Sequence, residues 1–187
     1  PSDEGIPRRI GEMLEVRGDK AGAGDAYRRS LAIEPFQPNV WRAITRLEGR
    51  DEDFAAGWEP DVQQILASLP SVEELKKQHP KAVAVTVLDH NVTQVRADGS
   101  SRSYVHMIYK VLDEKGVEKY DSLPNAGETL LVRAILPDGT VTTPTGMQGA
   151  PFNIEGLVPG TVLEQRFAVS ERGSAKGYAG DKFYFQD

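Results

Sequence analysis

The sequence predicts an α+β chain in several parts: helical hairpins at the N-terminus, followed by an antiparallel β-sandwich. Three observations carry this reading. Up to Pro80 apolar residues recur at helical spacing, as at Ile6, Ile10, Met13 and Leu14. From Lys81 the period falls to two, first at Val83, Val85 and Val87. Turn-forming pairs then punctuate the chain at Asp98-Gly99, Lys115-Gly116, Asp138-Gly139 and Pro159-Gly160. The expected parts are a helical segment and linker over 1–57, a helical connector over 58–80 and the β-sandwich over 81–187.

The 187 residues suit one large or two small domains, and 39% apolar with 27% charged residues is the balance of a folded globular chain. The net charge of −6 is spread over both halves, with 11 basic and 15 acidic residues in 1–80 and 11 and 13 in 81–187. Such a chain has no basic stripe for a phosphate backbone, which argues against nucleic acid as a partner. The absence of cysteine excludes disulfides, thiolate metal sites and cysteine nucleophiles within these residues. No apolar run approaches a membrane span and no signal peptide is visible. The opening Pro1, without Met, reads as a piece cut from a longer protein, so compartment stays open.

The helices come in order. The first carries Ile6, Ile10, Met13 and Leu14 and breaks at Gly18-Asp19; the second carries Ala23, Ala26, Tyr27 and Leu31 and closes at Pro35. A third carries Trp41, Ile44 and Leu47. A helical hairpin of this kind wants a small residue where its helices cross, Gly-Asp at the turn, a small residue with an aromatic four later, and a closing proline. Gly11, Gly18-Asp19, Ala23, Tyr27, Ser30 and Pro35 hold those places. In this the segment resembles a tetratricopeptide repeat, with Trp41 at the aromatic position of the next one. The likeness covers about one and a half repeats. It departs at Pro7, which stands in the tryptophan position, and at Gly49-Arg50-Asp51, where the pattern stops. A last repeat of a longer array and a generic helical hairpin both fit these residues.

Residues 49–57 read as an acidic linker. Pro60 opens a helix with Val62, Ile65, Leu66 and Leu69 as its stripe, and Ser71-Val72-Glu73-Glu74 is a capping box for the next. The first strand runs from Val83 and resumes over 91–96 after a register shift at Asp89-His90. Asp98-Gly99 suits a type I′ hairpin turn. The return strand, 102–112, is apolar on both faces and belongs in the middle of a packed structure. Lys115-Gly116 is expected to turn the chain into a strand over 117–122. Strands follow on either side of Pro137-Asp138-Gly139 and Pro159-Gly160. A mobile loop over 170–180 and a last strand at Phe183-Tyr184-Phe185 end the chain.

In the β half, Val85 to His90, Ala97 to Ser100, Lys110-Val111-Leu112, Ala134 to Gly139, Phe152 to Gly160 and Glu164 to Phe167 occur in one succession. This half resembles the uncharacterised N-terminal domain that precedes transglutaminase-like cores in large bacterial proteins, and Trp58-Glu59-Pro60 resembles its lead-in. The resemblance implies a β-sandwich accessory domain, a catalytic domain further along the same chain, and a bacterial cell-envelope location. The Cys-His-Asp triad of such proteins belongs to that later core, so no catalytic residue carries over to this chain.

Candidate sites are few. His90 is flanked by Asp89 and Asn91, but neighbours on a strand point to opposite faces, so a bulge histidine is the simpler reading. His106 reads as a packed or cross-strand residue, and His79 as a helix-end residue. The three histidines share no ligand spacing, so no metal and no cofactor are expected. Glu155, Glu164, Asp138 and Asp181 could supply a carboxylate pair, against solvated turns and strand faces. Glu164 and Arg166 share one strand face and suggest a surface ion pair. Asn91-Val92-Thr93 has the form of a glycosylation sequon, and the glycines over 173–180 lack a phosphate-loop ending.

The expected function is a non-catalytic interaction segment whose partner is a protein, a peptide or a downstream catalytic domain. Tyr27, Trp41, Tyr104, Tyr120, Tyr178 and Tyr184 are the candidate interaction residues. The alternative is a carbohydrate-binding β-sandwich, which requires Tyr104, Tyr120, Tyr178 and Tyr184 exposed on one sheet face. A carboxylate-based hydrolase ranks last.

Overall fold

The computed structural model describes residues 5–49, 54–96, 99–124, 126–144 and 151–172. These form a mixed α+β chain. In order they build α1 (Gly5–Val16), α2 (Lys20–Ile33), α3 (Pro38–Leu47), a 3-10 turn (Ala56–Trp58), α4 (Val62–Ala67) and α5 (Val72–Gln78). Then come β1 (Ala84–Val95), β2 (Ser101–Val111), α6 (Glu114–Tyr120), β3 (Ser122–Leu123), β4 (Glu128–Ile135), β5 (Val141–Thr142), β6 (Phe152–Asn153) and β7 (Val162–Glu171). The described residues fall into two compact units, one holding those of 1–57, 94–101 and 170–187, the other those of 58–93 and 102–169. No helix among the described residues is long and apolar enough to cross a membrane.

In the first unit, Gly18-Asp19 both stops one helix and starts the next. Gly18 takes φ +80°, and the Gly18 and Asp19 N–H groups donate to Glu15 and Leu14 carbonyls at 3.0 Å each, closing the end of α1. The Asp19 carboxylate then accepts from the Gly22 N–H at 2.9 Å and caps α2. The two helices touch at Gly11, where a Cβ would fall 2.5 Å from Tyr27 Cε1, so only glycine lets the ring lie against the α1 backbone. Tyr27, Ala23 and Leu31 of α2 pack with Val40, Ala43 and Ile44 of α3, and Leu14, Trp41 and Leu47 lie against them. The apolar spacing of α1 does not mark its buried side. Gly11 is buried and Leu14 half-buried, whereas Ile6, Ile10 and Met13 are 57%, 42% and 57% exposed.

In the second unit, five strands are hydrogen-bonded in the order β1-β2-β7-β4-β5, and β3 pairs with β6 in a separate ribbon. The β4–β5, β4–β7 and β3–β6 pairings are antiparallel. β2, apolar on both faces, lies between two neighbours as its pattern requires. A bulge sits between Thr129 and Leu131 of β4, beyond which Arg133 faces Glu164 and Ala134 faces Leu163. Val111, Val132, Ala134 and Leu163 of the sheet share a buried core with Leu123, Ile154 and Leu157, with Tyr109, Val117, Tyr120 and Phe152 against it.

Several expectations are corrected. Residues 114–120 are helical, not a strand: the Asp113 carboxylate accepts from the Gly116 N–H at 2.9 Å and starts α6, which turns Val117 and Tyr120 onto the core. Gly116 is needed there because a Cβ would run into the Val83 carbonyl oxygen, and not because the chain reverses. Ser170 and Glu171 continue β7 where a loop was expected. The hairpin after β1 closes with three loop residues instead of two: Arg96 N–H reaches the Ser100 carbonyl at 2.8 Å, and Gly99 takes φ +78°. The β4–β5 loop repeats this geometry, with Leu136 N–H to the Thr140 carbonyl at 2.8 Å and Gly139 at φ +87°. The Pro159-Gly160 turn is as expected, with Gly160 at φ +94° and Thr161 N–H donating to the Val158 carbonyl at 3.1 Å. The capping box of α5 is complete, since Ser71 N–H donates to Glu74 at 2.8 Å and Glu74 N–H to Ser71 Oγ at 3.2 Å. The strand expected at 183–185 and most of the 170–180 loop lie outside the described residues.

Two helical glycines are predicted to respond to alanine with opposite signs. Gly11→Ala lowers stability by about 1–3 kcal/mol, because its Cβ meets the Tyr27 ring. Gly24→Ala, whose nearest neighbour beyond its own turn is Arg28 Nη1 at 3.5 Å, raises it by about 0.5–1 kcal/mol through the lost freedom of the unfolded chain. Urea midpoints of the two variants check this; equal shifts contradict the close approach at Gly11.

Candidate functional site

The densest group of ionisable side chains in the described residues gathers on one face of the five-stranded sheet. Alternation along β2 turns Tyr104, His106 and Ile108 to that face, and along β7 it turns Glu164 and Arg166. The β4–β7 register brings Arg133 opposite Glu164. Glu164 is 1% exposed and His106 is fully buried. Glu164 Oε2 accepts from Arg133 Nε at 2.7 Å and Nη2 at 2.6 Å. Its Oε1 lies 3.0 Å from His106 Nε2 and accepts from Arg166 Nε and Nη2 at 3.0 Å each. Arg166 Nη1 also reaches Glu59 Oε1 at 3.4 Å, and the Tyr104 hydroxyl donates to the same oxygen at 2.7 Å.

Electrostatics follow from this geometry. Burial pushes the Glu164 carboxyl up, but hydrogen bonds from His106 and Arg133 and the charges of Arg133 and Arg166 outweigh it and hold the group at about 2. An ionised carboxylate only accepts, so the proton between it and His106 sits on Nε2. His106 Nδ1 is buried with no partner among the described residues. A general base works near the operating pH and within reach of its substrate. Glu164 meets neither condition, and every partner it has is a cation or an imidazole. The group ties β2, β4 and β7 together. The surface ion pair expected from Glu164 and Arg166 is a buried one, because Arg133 and His106 complete the shell of the carboxylate.

The other candidates are scattered. Asp138 is exposed and accepts from the Thr140 N–H at 2.8 Å, which holds its carboxyl below the usual range; it serves its own turn. Glu155 is exposed, and Asp181 lies outside the described residues. His79 caps the C-terminal end of α5. No group of three His, Asp or Glu that could hold a metal occurs among the described residues.

The four candidate interaction residues that are described are buried or half-buried. Tyr27 is 2% exposed; burial, then its hydrogen bond to Glu15 at 3.0 Å, pushes its hydroxyl up to about 12. Trp41 is half-buried, donates through Nε1 to the Pro35 carbonyl at 3.1 Å and has the Arg96 guanidinium 5.1 Å from its ring centroid. Tyr104 is 5% exposed, which contradicts the exposed platform expected of it; its ring is held by Glu59. Tyr120 is half-buried, 5.2 Å from the Tyr109 ring at 41°. Tyr178 and Tyr184 lie outside the described residues.

A concave site that the sequence reading missed lies in the first unit. Lys20, Ala21, Gly24 and Arg28 of α2 and Ile44, Leu47 and Glu48 at the end of α3 line a cavity of about 260 Å³. Arg28 bridges Glu48 at 2.8 Å and Asp25 at 3.0 Å on its rim. The small residues Ala21 and Gly24, three apart on α2, were the available signal: on a helix that spacing opens a gap beside a neighbour.

Neutralising Glu164 is expected to destabilise the second unit. Glu164→Gln leaves Arg133 and Arg166 without their carboxylate and costs about 3 kcal/mol in urea unfolding. The folded value near 2 lies below the unfolded 4.5, so the contribution is present above pH 4.5 and is lost as pH falls toward 2. Melting temperature followed between pH 5 and 2 should drop more steeply for the parent than for Glu164→Gln; parallel curves contradict the assignment. Comparison with protein-family models, with curated proteins and with solved structures gave no match for this chain.

Proposed function

We propose that this chain is a non-catalytic interaction segment of a larger bacterial protein. On this reading the helical unit is a tetratricopeptide-like array end that binds a peptide or partner domain. The β unit is a sandwich, with the β3–β6 ribbon as its second sheet, of the kind that precedes a transglutaminase-like core in the cell envelope. The observation that carries the reading is the cavity between α2 and α3: its lining combines the small residues Ala21 and Gly24, the apolar Ile44 and Leu47 and the charged Lys20, Arg28 and Glu48, which suits one bulky side chain of a partner. The glycine-mediated packing of α1 on α2 and the turn at Gly18-Asp19 fit the repeat resemblance. The ionisable cluster supports a non-catalytic role, since its carboxylate is neutralised and enclosed.

The carbohydrate-binding alternative is not favoured, because a Tyr104 ring 5% exposed offers no face to a sugar. The carboxylate-hydrolase reading needs two converging acids, and Glu164 has only basic and imidazole partners.

Peptide-display selection against the 187-residue chain is expected to yield binders that shift the backbone amides of Ala21, Gly24, Ile44 and Leu47. Ile44 is a core residue, so Ala21→Trp, at the mouth of the cavity, is the blocking variant, and it should weaken those binders at least about tenfold. Binders that leave these amides unmoved, or turnover in a hydrolase panel that Glu164→Gln abolishes, overturn the reading.

A further inference from the structure

We infer that the exposed apolar stripe of α1 docks an amphipathic helix of a separate protein whose apolar face is edged by acidic residues. This rests on the interaction reading above but not on its array part: it takes the helices as a hairpin open on the α1 side, where an array would place a preceding repeat, and gives a second surface and the chemistry of its partner.

The stripe is Ile6, Ile10 and Met13, spaced i, i+4, i+7 along one line of α1. All three are more than 40% exposed, and together they span about 10 Å, two turns of helix. They are not spare core residues, because α1 already meets α2 through Gly11 and Leu14 on another side. An apolar row of this length on a helix matches the anchor spacing of a second helix laid against it.

The charges around the stripe choose among occupants. Arg9 lies three residues from Ile6 and four from Met13, and Arg17 lies four beyond Met13, so both guanidiniums border the row. Both are exposed, and neither guanidinium has a hydrogen-bond or ion-pair partner among the described residues. The acid on the far side of α1, Glu15, is already engaged by Arg46 at 2.6 Å and by the Tyr27 hydroxyl. Glu12 is exposed but sits one turn after Arg8, away from the row. The edge offered to a visitor is therefore cationic. A second copy of this chain meeting α1 through a two-fold axis would put Arg9 and Arg17 of both copies into one contact with no acid to meet them, which repels. An anionic membrane would face a chain of net charge −6. A helix with glutamates or aspartates beside its apolar face satisfies both the row and its edge.

The test uses the 187-residue chain and two synthetic helices with the same leucine face, one edged by glutamate and one by lysine. In fluorescence anisotropy at low salt the glutamate peptide should bind at least about tenfold more tightly than the lysine peptide, and weaken as salt rises. Backbone amide shifts should map to residues 6–17. Met13→Asp should weaken binding about tenfold with an unchanged thermal midpoint, and the Arg9→Glu, Arg17→Glu pair should reverse the peptide preference. The two peptides alone decide the matter if a variant misfolds. Equal affinity for both, or no binding of either, overturns the inference. Amide shifts at the α2–α3 cavity instead of α1 overturn it while leaving the proposed interaction function standing. Binding at α1 with no binder at the cavity supports it and removes the cavity from that function. Binding to anionic vesicles that exceeds that of the glutamate peptide, or a concentration-dependent dimer in light scattering that Met13→Asp abolishes, assigns the stripe to a lipid or a second copy and overturns it.

Discussion

A carboxylate inside a β-sheet persists only when its charge is met from several directions, and Glu164 is met from three strands. Arg133 comes from β4, His106 from β2 and Arg166 from β7 itself, all within 3.0 Å. Desolvating an ion in this way costs several kcal/mol, and it is offset only by close geometry and by donors to both oxygens. That requirement fixes what the neighbouring strands can do. A slip of one residue in either pairing would turn Arg133 or His106 to the opposite face and leave the carboxylate without its shell. The cluster therefore specifies register more than it adds stability, while the apolar core on the other side of the sheet supplies burial.

The helical unit is organised by size, not by charge. Glycine at position 11 lets Tyr27 lie against α1, and the ring in turn carries the packing of α2 onto α3. α1 thus faces α2 with Gly11 and Leu14 and turns Ile6, Ile10 and Met13 outward. The outer surface of α1 and the α2–α3 cavity both bring apolar groups of this unit to solvent.

Local chemistry was legible where it depends on a few adjacent residues. The Ser71–Glu74 capping box, the Pro159-Gly160 turn and the two apolar faces of β2 all follow from short-range rules, and all are present. α6 was misread because Lys115-Gly116 has the form of a turn, whereas its glycine answers to the Val83 carbonyl, thirty-three positions earlier. The same limit explains Glu164. Its pairing with Arg166 is visible along one strand, but burial depends on Arg133 and His106, which only the sheet order delivers. The α1 stripe has the spacing of a core face, and the spacing alone says nothing about which side the neighbouring helix takes. Asp-Gly at two hairpins gave the reversal but not the loop length, which the flanking hydrogen bonds decide.

The bulge in β4 separates two stretches of pairing with β7. On one side Thr129 faces Phe167, and on the other Leu131 faces Arg166, so Leu130 is an extra link in the ladder and is 48% exposed. Loss of that one residue would shorten the strand without altering which partner Arg133 or Glu128 meets. Elsewhere in β4 a single-residue deletion would invert every side chain on one side of the cut. The β4–β7 pairing thus carries a position at which a length change leaves the flanking partners in place, and sequence drift in this strand has a permitted place to begin.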